Sequence, residues 1–174
     1  MTAAAHGGIA LVEDALDIDA ARALMRAYAA SIGIDLCFQH FGTELEALPG
    51  AYVAPRGGLW LARDDRGAAV GVIALRPLSA VVCEMKRLWV EPRAQGTGLG
   101  RALAQTTIDF ARAAGYASMK LDTLQHRMPA AVSLYRSLGF VACAAYTVNP
   151  EPDVLYMELD LAGGDAAAAT GERR

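Results

Sequence analysis

The chain has 174 residues, enough for one domain with one sizeable core and too few for two independent ones. A net charge of −3 and a sequence pI of about 5.6 offer no general basic surface for nucleic acid, and apolar runs that are short and broken by charge argue against a membrane span. Cys37, Cys83 and Cys143 lack paired metal-ligand spacing, so no metal site is expected. Together with the absence of a long apolar leader before Gly8, they lead to the expectation of a reduced, cytoplasmic, unexported protein.

In chain order, Ile9 to Val12 reads as a short strand, followed by a helix that Asp17 or Asp19 caps, with Ala21, Leu24, Tyr28 and Ile32 as its apolar stripe and Gly33 as its end. Phe38 to Leu48 reads as a second helix, stopped by Pro49-Gly50. Leu59 to Ala62 and Ala69 to Leu75 flank Arg63-Asp64-Asp65-Arg66-Gly67 as a hairpin with a longer turn. Val81 to Val90 is a long strand that alternation would divide into one face of Glu84, Lys86, Leu88 and Val90 and another of Met85, Arg87 and Trp89. Charge in a strand that should be central breaks a local rule, and such breaks mark functional sites.

The segment Arg87 to Leu103 is the centre of the pattern. Pro92 stops the strand, glycines at 96, 98 and 100 permit a tight turn, and Leu99, Leu103, Phe110 and Ala114 recur at helical spacing. The glycines therefore open a helix, where unpaired N–H groups and the positive dipole end suit a phosphate, with Arg93 and Arg101 adding charge. A tight connection alone would need one or two glycines. A dinucleotide site is the competitor, because Asp122 falls about 20 residues on, where a ribose-binding acid would stand. Against it, Arg101 occupies the place of the third glycine, and Glu84, Lys86 and Arg87 charge a strand that should be apolar. A P-loop is excluded because no Gly-Lys-Ser/Thr follows.

Gly115 then caps the helix, Ala117 to Thr123 reads as a strand parallel to the one before, and Met128 to Leu138 as a helix with Ala131, Leu134, Tyr135 and Leu138 on its buried face and Gly139 as its stop. Val141 to Val148 and Val154 to Leu161 read as closing strands around Asn149-Pro150-Glu151-Pro152-Asp153. One domain over 1–162 is expected, with 163–174 a disordered tail poor in apolar residues.

Gln95, Gly98 and Gly100 resemble the acetyl-CoA signature of the GCN5-related N-acetyltransferases: Gln or Arg, two residues, Gly, one residue, Gly or Ala. Leu88-Trp89-Val90-Glu91-Pro92 upstream, and Ala130-Ala131-Val132-Ser133-Leu134-Tyr135-Arg136-Ser137-Leu138-Gly139-Phe140 downstream, are similar to the family in order and spacing, so that roughly Val81 to Leu161 is covered. The likeness is to small stand-alone bacterial members. It implies a single-domain α/β (α+β) fold, a mixed sheet of about six to seven strands with helices on both faces. It also implies acetyl-CoA as cosubstrate, held by Leu88, Trp89, Val90, Arg93, Gln95, Gly96, Thr97, Gly98, Leu99, Gly100 and Arg101, and a bulged central strand that frees N–H groups of Leu88 or Val90 for the acyl oxygen.

The same resemblance makes Glu84 a candidate general base, six residues and about 20 Å of extended strand before Val90, and Tyr135 a donor to the departing sulfur. The residues alone leave open that Glu84 pairs with Lys86 or Arg87 and that Tyr135 only packs. Phe38, Gln39, Phe41, Asp122, Tyr146 and Asn149 are candidate acceptor contacts; packing is the alternative for the two phenylalanines, and His40 beside them has no assigned role. Met128 stands where many members carry an Asn that contacts the cofactor arm, a bond a thioether cannot make. The expected reaction is acetylation of a small-molecule amine by direct attack. Protein N-terminal or lysine acetylation and a non-catalytic acyl-CoA-binding domain remain as alternatives, and a homodimer is left open.

Overall fold

The protein is described by a computed structural model over residues 8–33 and 40–165. Ile9–Leu11 (β1) precedes Ala15–Ile32 (α1), which Asp14 caps by accepting from the Asp17 N–H at 2.8 Å; the expected caps Asp17 and Asp19 lie inside the helix instead. Gly33 ends α1 in the left-handed conformation. Phe41–Ala47 (α2) is shorter than the sequence indicates, and Phe38 and Gln39 lie outside the described residues. Gly58–Arg63 (β2), Ala69–Pro77 (β3) and Val82–Val90 (β4) follow, then Leu99–Ala113 (α3), Ser118–Leu124 (β5), Pro129–Ser137 (α4), Val141–Ala142 (β6) and Val154–Asp160 (β7).

Among the described residues the strands form one sheet in the order β1-β2-β3-β4-β5-β7-β6, with β4 and β5 parallel and every other pair antiparallel. Two apolar clusters sandwich it. One packs Leu99, Leu103, Ala104 and Ile108 of α3 on Ile73, Cys83, Met85 and Val90; the other packs Ala21, Leu24 and Met25 of α1 with Leu45 of α2 on Leu59, Leu61, Val72 and Ala74. Met25 fills the core where the stripe named Tyr28, and the Tyr28 side chain is left half-buried beside the site.

Strand β4 departs from simple alternation. Its register on β3 pairs Lys86 with Ala74 and Trp89 with Val72, so Arg87 and Leu88 together oppose Ile73, and Arg87 takes φ 60°. The extra residue reverses the facing. Cys83 and Met85 before it, and Leu88 and Val90 after it, all turn toward α3, whereas Trp89 packs on the α1 side. The expectation that Glu84, Lys86, Leu88 and Val90 share a face is thus corrected by one inserted residue.

Two other expectations change. Only Val141–Ala142 pairs with β7, and the rest of the expected strand is a loop that carries Tyr146 and Asn149 toward the site. Helix α4 buries Val132 and Tyr135 most deeply, with Ala131 and Leu138 partly covered. Ala162–Asp165 forms a short turn of helix at the start of the expected tail, and 166–174 lie outside the described residues. No described helix is long and apolar enough to cross a membrane.

Candidate active site

Strand β4 pairs with β5 only from Val82 to Glu84, and beyond that the two parallel strands part. The Glu91 N–H points to Val70 O of β3 at 2.8 Å. Alternation therefore turns the main-chain groups of Val90 and Leu88 toward the gap, where no strand satisfies them. The Gln95 side chain donates to Val90 O at 2.9 Å and so ties the glycine turn to the strand end.

That turn uses Gly96 at φ 77° and Gly98 at φ 87°, conformations that a Cβ disfavours. Gly98 is the N-cap of α3, and the first bond into it runs from the Ala102 N–H to Gly98 O at 3.0 Å. The N–H groups of Leu99, Gly100 and Arg101 are the helix's unsatisfied donors. They open on a cleft of about 860 Å³ walled by the end of β4, the α3 N-terminus and α4, including Trp89, Val90, Gly98, Gly100, Arg101, Ala131 and Leu134. A Cβ on Gly100 would stand 3.7 Å from Leu134 Cδ2 and 3.9 Å from Val90 Cγ2, so its absence widens the cleft at the helix tip. Arg101 donates to Ser137 Oγ of α4 at 2.5 Å across this end. The cradle suits a pyrophosphate with a long apolar-walled arm leading from it.

The side chains of three expected cofactor residues turn to the frame. Arg93 is exposed and paired with Asp64 at 2.7 Å and Glu91 at 2.8 Å; the Thr97 hydroxyl donates to Ala94 O at 2.7 Å; Leu99 is buried in the core. Among the described residues the cleft walls include none of them.

On the other side of the split lies a small, partly open pocket of about 40 Å³, walled by Tyr28 of α1, Lys86, Arg87 and Leu88 of β4, Asp122 and Thr123 of β5, Met128, Tyr135 and Asn149. Leu88 and Met128 border both spaces, so pocket and cleft meet there. Asn149 donates from Nδ2 to Asp122 Oδ2 at 2.8 Å. Tyr135 stands edge-on to Phe140, 5.8 Å between centroids, and burial raises its phenol pKa, with Tyr28 and Asp122 acting in the same direction.

Behind the pocket is a charge network that sequence reasoning did not assemble. Arg87 donates two bonds to Glu44 of α2, at 2.9 and 2.6 Å, while the Tyr52 hydroxyl donates to Glu44 Oε1 at 2.7 Å. Burial alone would raise the Glu44 pKa, but the Arg87 bonds and charge outweigh it and hold the carboxyl below its usual value. Phe41 does not wall the pocket; its ring lies under the Arg87 guanidinium, 4.9 Å from the centroid. Glu84 is wholly buried, accepting from Arg76 Nε at 2.6 Å and the Tyr146 hydroxyl at 2.9 Å, with Lys86 Nζ 3.6 Å from Oε1. Lys86 does wall the pocket, its side chain 8% exposed; burial lowers its pKa, Glu84 opposes that, and Arg87 adds to it. The only sequence signal for Lys86 and Arg87 is charge in a central strand, and for Glu44, Tyr52 and Arg76 there is none.

The model of the acetyltransferase (GNAT) family matches residues 20–140. An uncharacterized N-acetyltransferase of Schizosaccharomyces pombe is 40% identical over 146 residues, 83% of this chain and 89% of that one. Mouse N-acetyltransferase 8 is 36% identical over 106 residues, 56% of this chain and 45% of that one. Among solved structures, a Salmonella typhimurium protein with acetyl-CoA as its cofactor superimposes with a TM-score of 0.62 at 21% identity, over 93% of this chain and 98% of that one. A Staphylococcus aureus acetyltransferase of the GNAT family gives a TM-score of 0.72 at 19% identity, over 88% and 99%. With a family match over most of its length and an extended relative above 30% identity, the chain belongs to the acetyltransferase (GNAT) family and is an N-acetyltransferase that uses acetyl-CoA.

Proposed function

We propose that this enzyme acetylates the primary amine of a small molecule. The observation that carries the reading is the acceptor end: a pocket of only about 40 Å³ with an acid, an amide and two phenols in its walls. Acetyl-CoA, when bound, supplies an activated acetyl group as a thioester. The residues suited to hold it are the first N–H groups of α3 for the pyrophosphate, and Leu88 and Val90 for main-chain bonds to the arm and acyl oxygen. Asp122, steadied by Asn149, is placed to receive the acceptor's ammonium group. Glu84 supplies the buried negative charge that favours drawing a proton from that ammonium. Tyr135, its pKa raised, stays a phenol and stabilises the departing sulfur by donating a hydrogen bond, since full transfer to a thiolate of pKa roughly 8.5 would be uphill.

The test is a panel of small primary amines and of peptides with free N-termini or lysines, incubated with acetyl-CoA while free thiol is followed. Release with one or more small amines is the expected result. Release confined to peptides would replace this reading with protein acetylation. Acetyl-CoA and CoA should raise the melting temperature while NAD does not, because only a ligand that fits the folded cradle stabilises it.

A further inference from the structure

The chain meets its need for positive charge almost wholly with arginine: of 16 basic residues only Lys86 and Lys120 are lysines. Arginine cannot lose its proton in a protein, whereas a buried lysine can. One of the two side chains with that capacity stands in the wall of the acceptor pocket.

Glu84 is poorly placed to touch an acceptor. It is fully buried, does not wall the pocket, and its oxygens are taken by Arg76 and Tyr146, whereas Lys86, whose Nζ lies 3.6 Å from Glu84 Oε1, is in the pocket wall. Lys86 Nζ has Glu84 only at 3.6 Å, longer than a hydrogen bond, which leaves its bonding capacity for the pocket. We propose that Lys86 is the group that takes the proton from the acceptor's ammonium, with Glu84 behind it as the counter-charge that stabilises the protonated lysine. In this step an acceptor N–H bond breaks and an N–H bond forms on the Lys86 lone pair. The amine is left neutral and nucleophilic, and Lys86 returns its proton to solvent when product leaves. The proposal rests on the acetyltransferase reading and names the contact atom that reading leaves unassigned.

The surroundings bear on the balance of charge. On the same strand stand Glu84 and Arg87, from β3 comes Arg76, from β5 Asp122 and from α2 Glu44; Tyr146 shares Glu84 Oε1, and Tyr28 and Tyr135 wall the same pocket. Arg87 is paired with Glu44 and Arg76 with Glu84, and the charged groups in the pocket wall are Lys86, Arg87 and Asp122. Burial and the two arginines lower the lysine's pKa against the pull of Glu84 and Asp122, which favours the neutral form relative to an ordinary lysine.

With only two lysines, a sample carrying ¹³C-lysine gives two ε-methylene signals, and the one missing from Lys86→Arg is that of Lys86. Its titration should fall below the ordinary lysine value of about 10.4 and fall further in Glu84→Gln. A midpoint at or above the ordinary value overturns the proposal without reference to any acceptor. The second arm compares two probe amines with acetyl-CoA at pH 7: benzylamine, an ammonium there, and methoxyamine, already neutral. Lys86→Arg keeps the charge but not the base, and should lower benzylamine turnover by roughly 10²-fold while methoxyamine turnover changes by no more than a few-fold. Equal retention of both would return the proton to Glu84 or to water. Equal loss of both would make Lys86 an anchor of the pocket. Failure of acetyl-CoA to raise the melting temperature of the wild-type protein would instead strike the acetyltransferase reading itself.

Discussion

The two halves of the site, joined at Leu88 and Met128, are built from different materials. The polar end of the cofactor cleft is made of main chain: glycines at positive φ, a helix tip, a strand edge left unpaired by divergence from its neighbour. The acceptor pocket is made of side chains that five separate stretches of chain bring together: Tyr28 of α1, Lys86 and Arg87 of β4, Asp122 of β5, Tyr135 of α4 and Asn149 of the loop before β7. Main-chain recognition of a shared acyl carrier does not depend on the acceptor's identity, so it can be kept while the side-chain half is rebuilt for another amine. The bulge at Arg87 is the hinge between the two materials, since it turns Leu88 and Val90 toward the cleft side and holds Arg87 on the acceptor side.

The comparison breaks most sharply at Glu44. Arg87 is 3% exposed and held by this one carboxylate, so Glu44→Ala leaves a buried cation unpaired and should cost about 3–5 kcal/mol, read as a lower urea midpoint with an unchanged slope. Glu44 has a lowered folded-state pKa, so its contribution is present above the usual carboxylate range and is lost as pH falls through the folded value. The gap between wild type and variant should therefore narrow on acidification. A gap that stays constant with pH would mean that the pair contributes packing and not charge.

This division also decides what was legible in the sequence. The glycine turn, its helix and the parallel strand after it are encoded within about 35 consecutive residues, and local rules recover them. The family resemblance implies a bulge in β4 but alternation alone does not place it, because a run such as Met85-Lys86-Arg87-Leu88 carries no signature of one inserted residue and period-2 counting passes over it. Glu44 pairs with Arg87 across 43 positions and Tyr146 with Glu84 across 62, separations over which side-chain type predicts nothing without the fold. Arg93 and Thr97 sit inside the motif, yet position in a motif does not say which way a side chain turns, and theirs turn to Asp64 and to Ala94 O.

The middle test lies where the halves meet. Tyr135→Phe keeps the ring against Phe140 and removes only the hydroxyl, so the melting temperature should barely move and acetyl-CoA should raise it as before. Turnover should fall by roughly 10²-fold if the phenol stabilises the departing sulfur in the transition state. Wild-type turnover would assign Tyr135 to packing alone and move the leaving-group role to water or main chain.

The smallest effects separate two glycines within the cleft itself. Gly98 has φ 87°, so Gly98→Ala should cost about 1–2 kcal/mol and lower the melting temperature of the free protein by several degrees. Gly100 lies in the first turn of α3 without a positive φ, and a Cβ there meets its neighbours at 3.7 and 3.9 Å, which is ordinary contact. Gly100→Ala should therefore stabilise the free protein by about 0.5–1 kcal/mol, because alanine loses less backbone freedom on entering a helix. Yet that methyl stands between two side chains of the cleft wall, where a phosphate would approach the helix N–H groups. The acetyl-CoA-induced rise should shrink in both variants although their free proteins move in opposite directions. A full ligand shift in Gly100→Ala would show that the pyrophosphate sits away from the α3 tip, and would remove the main-chain half of the contrast between cleft and pocket.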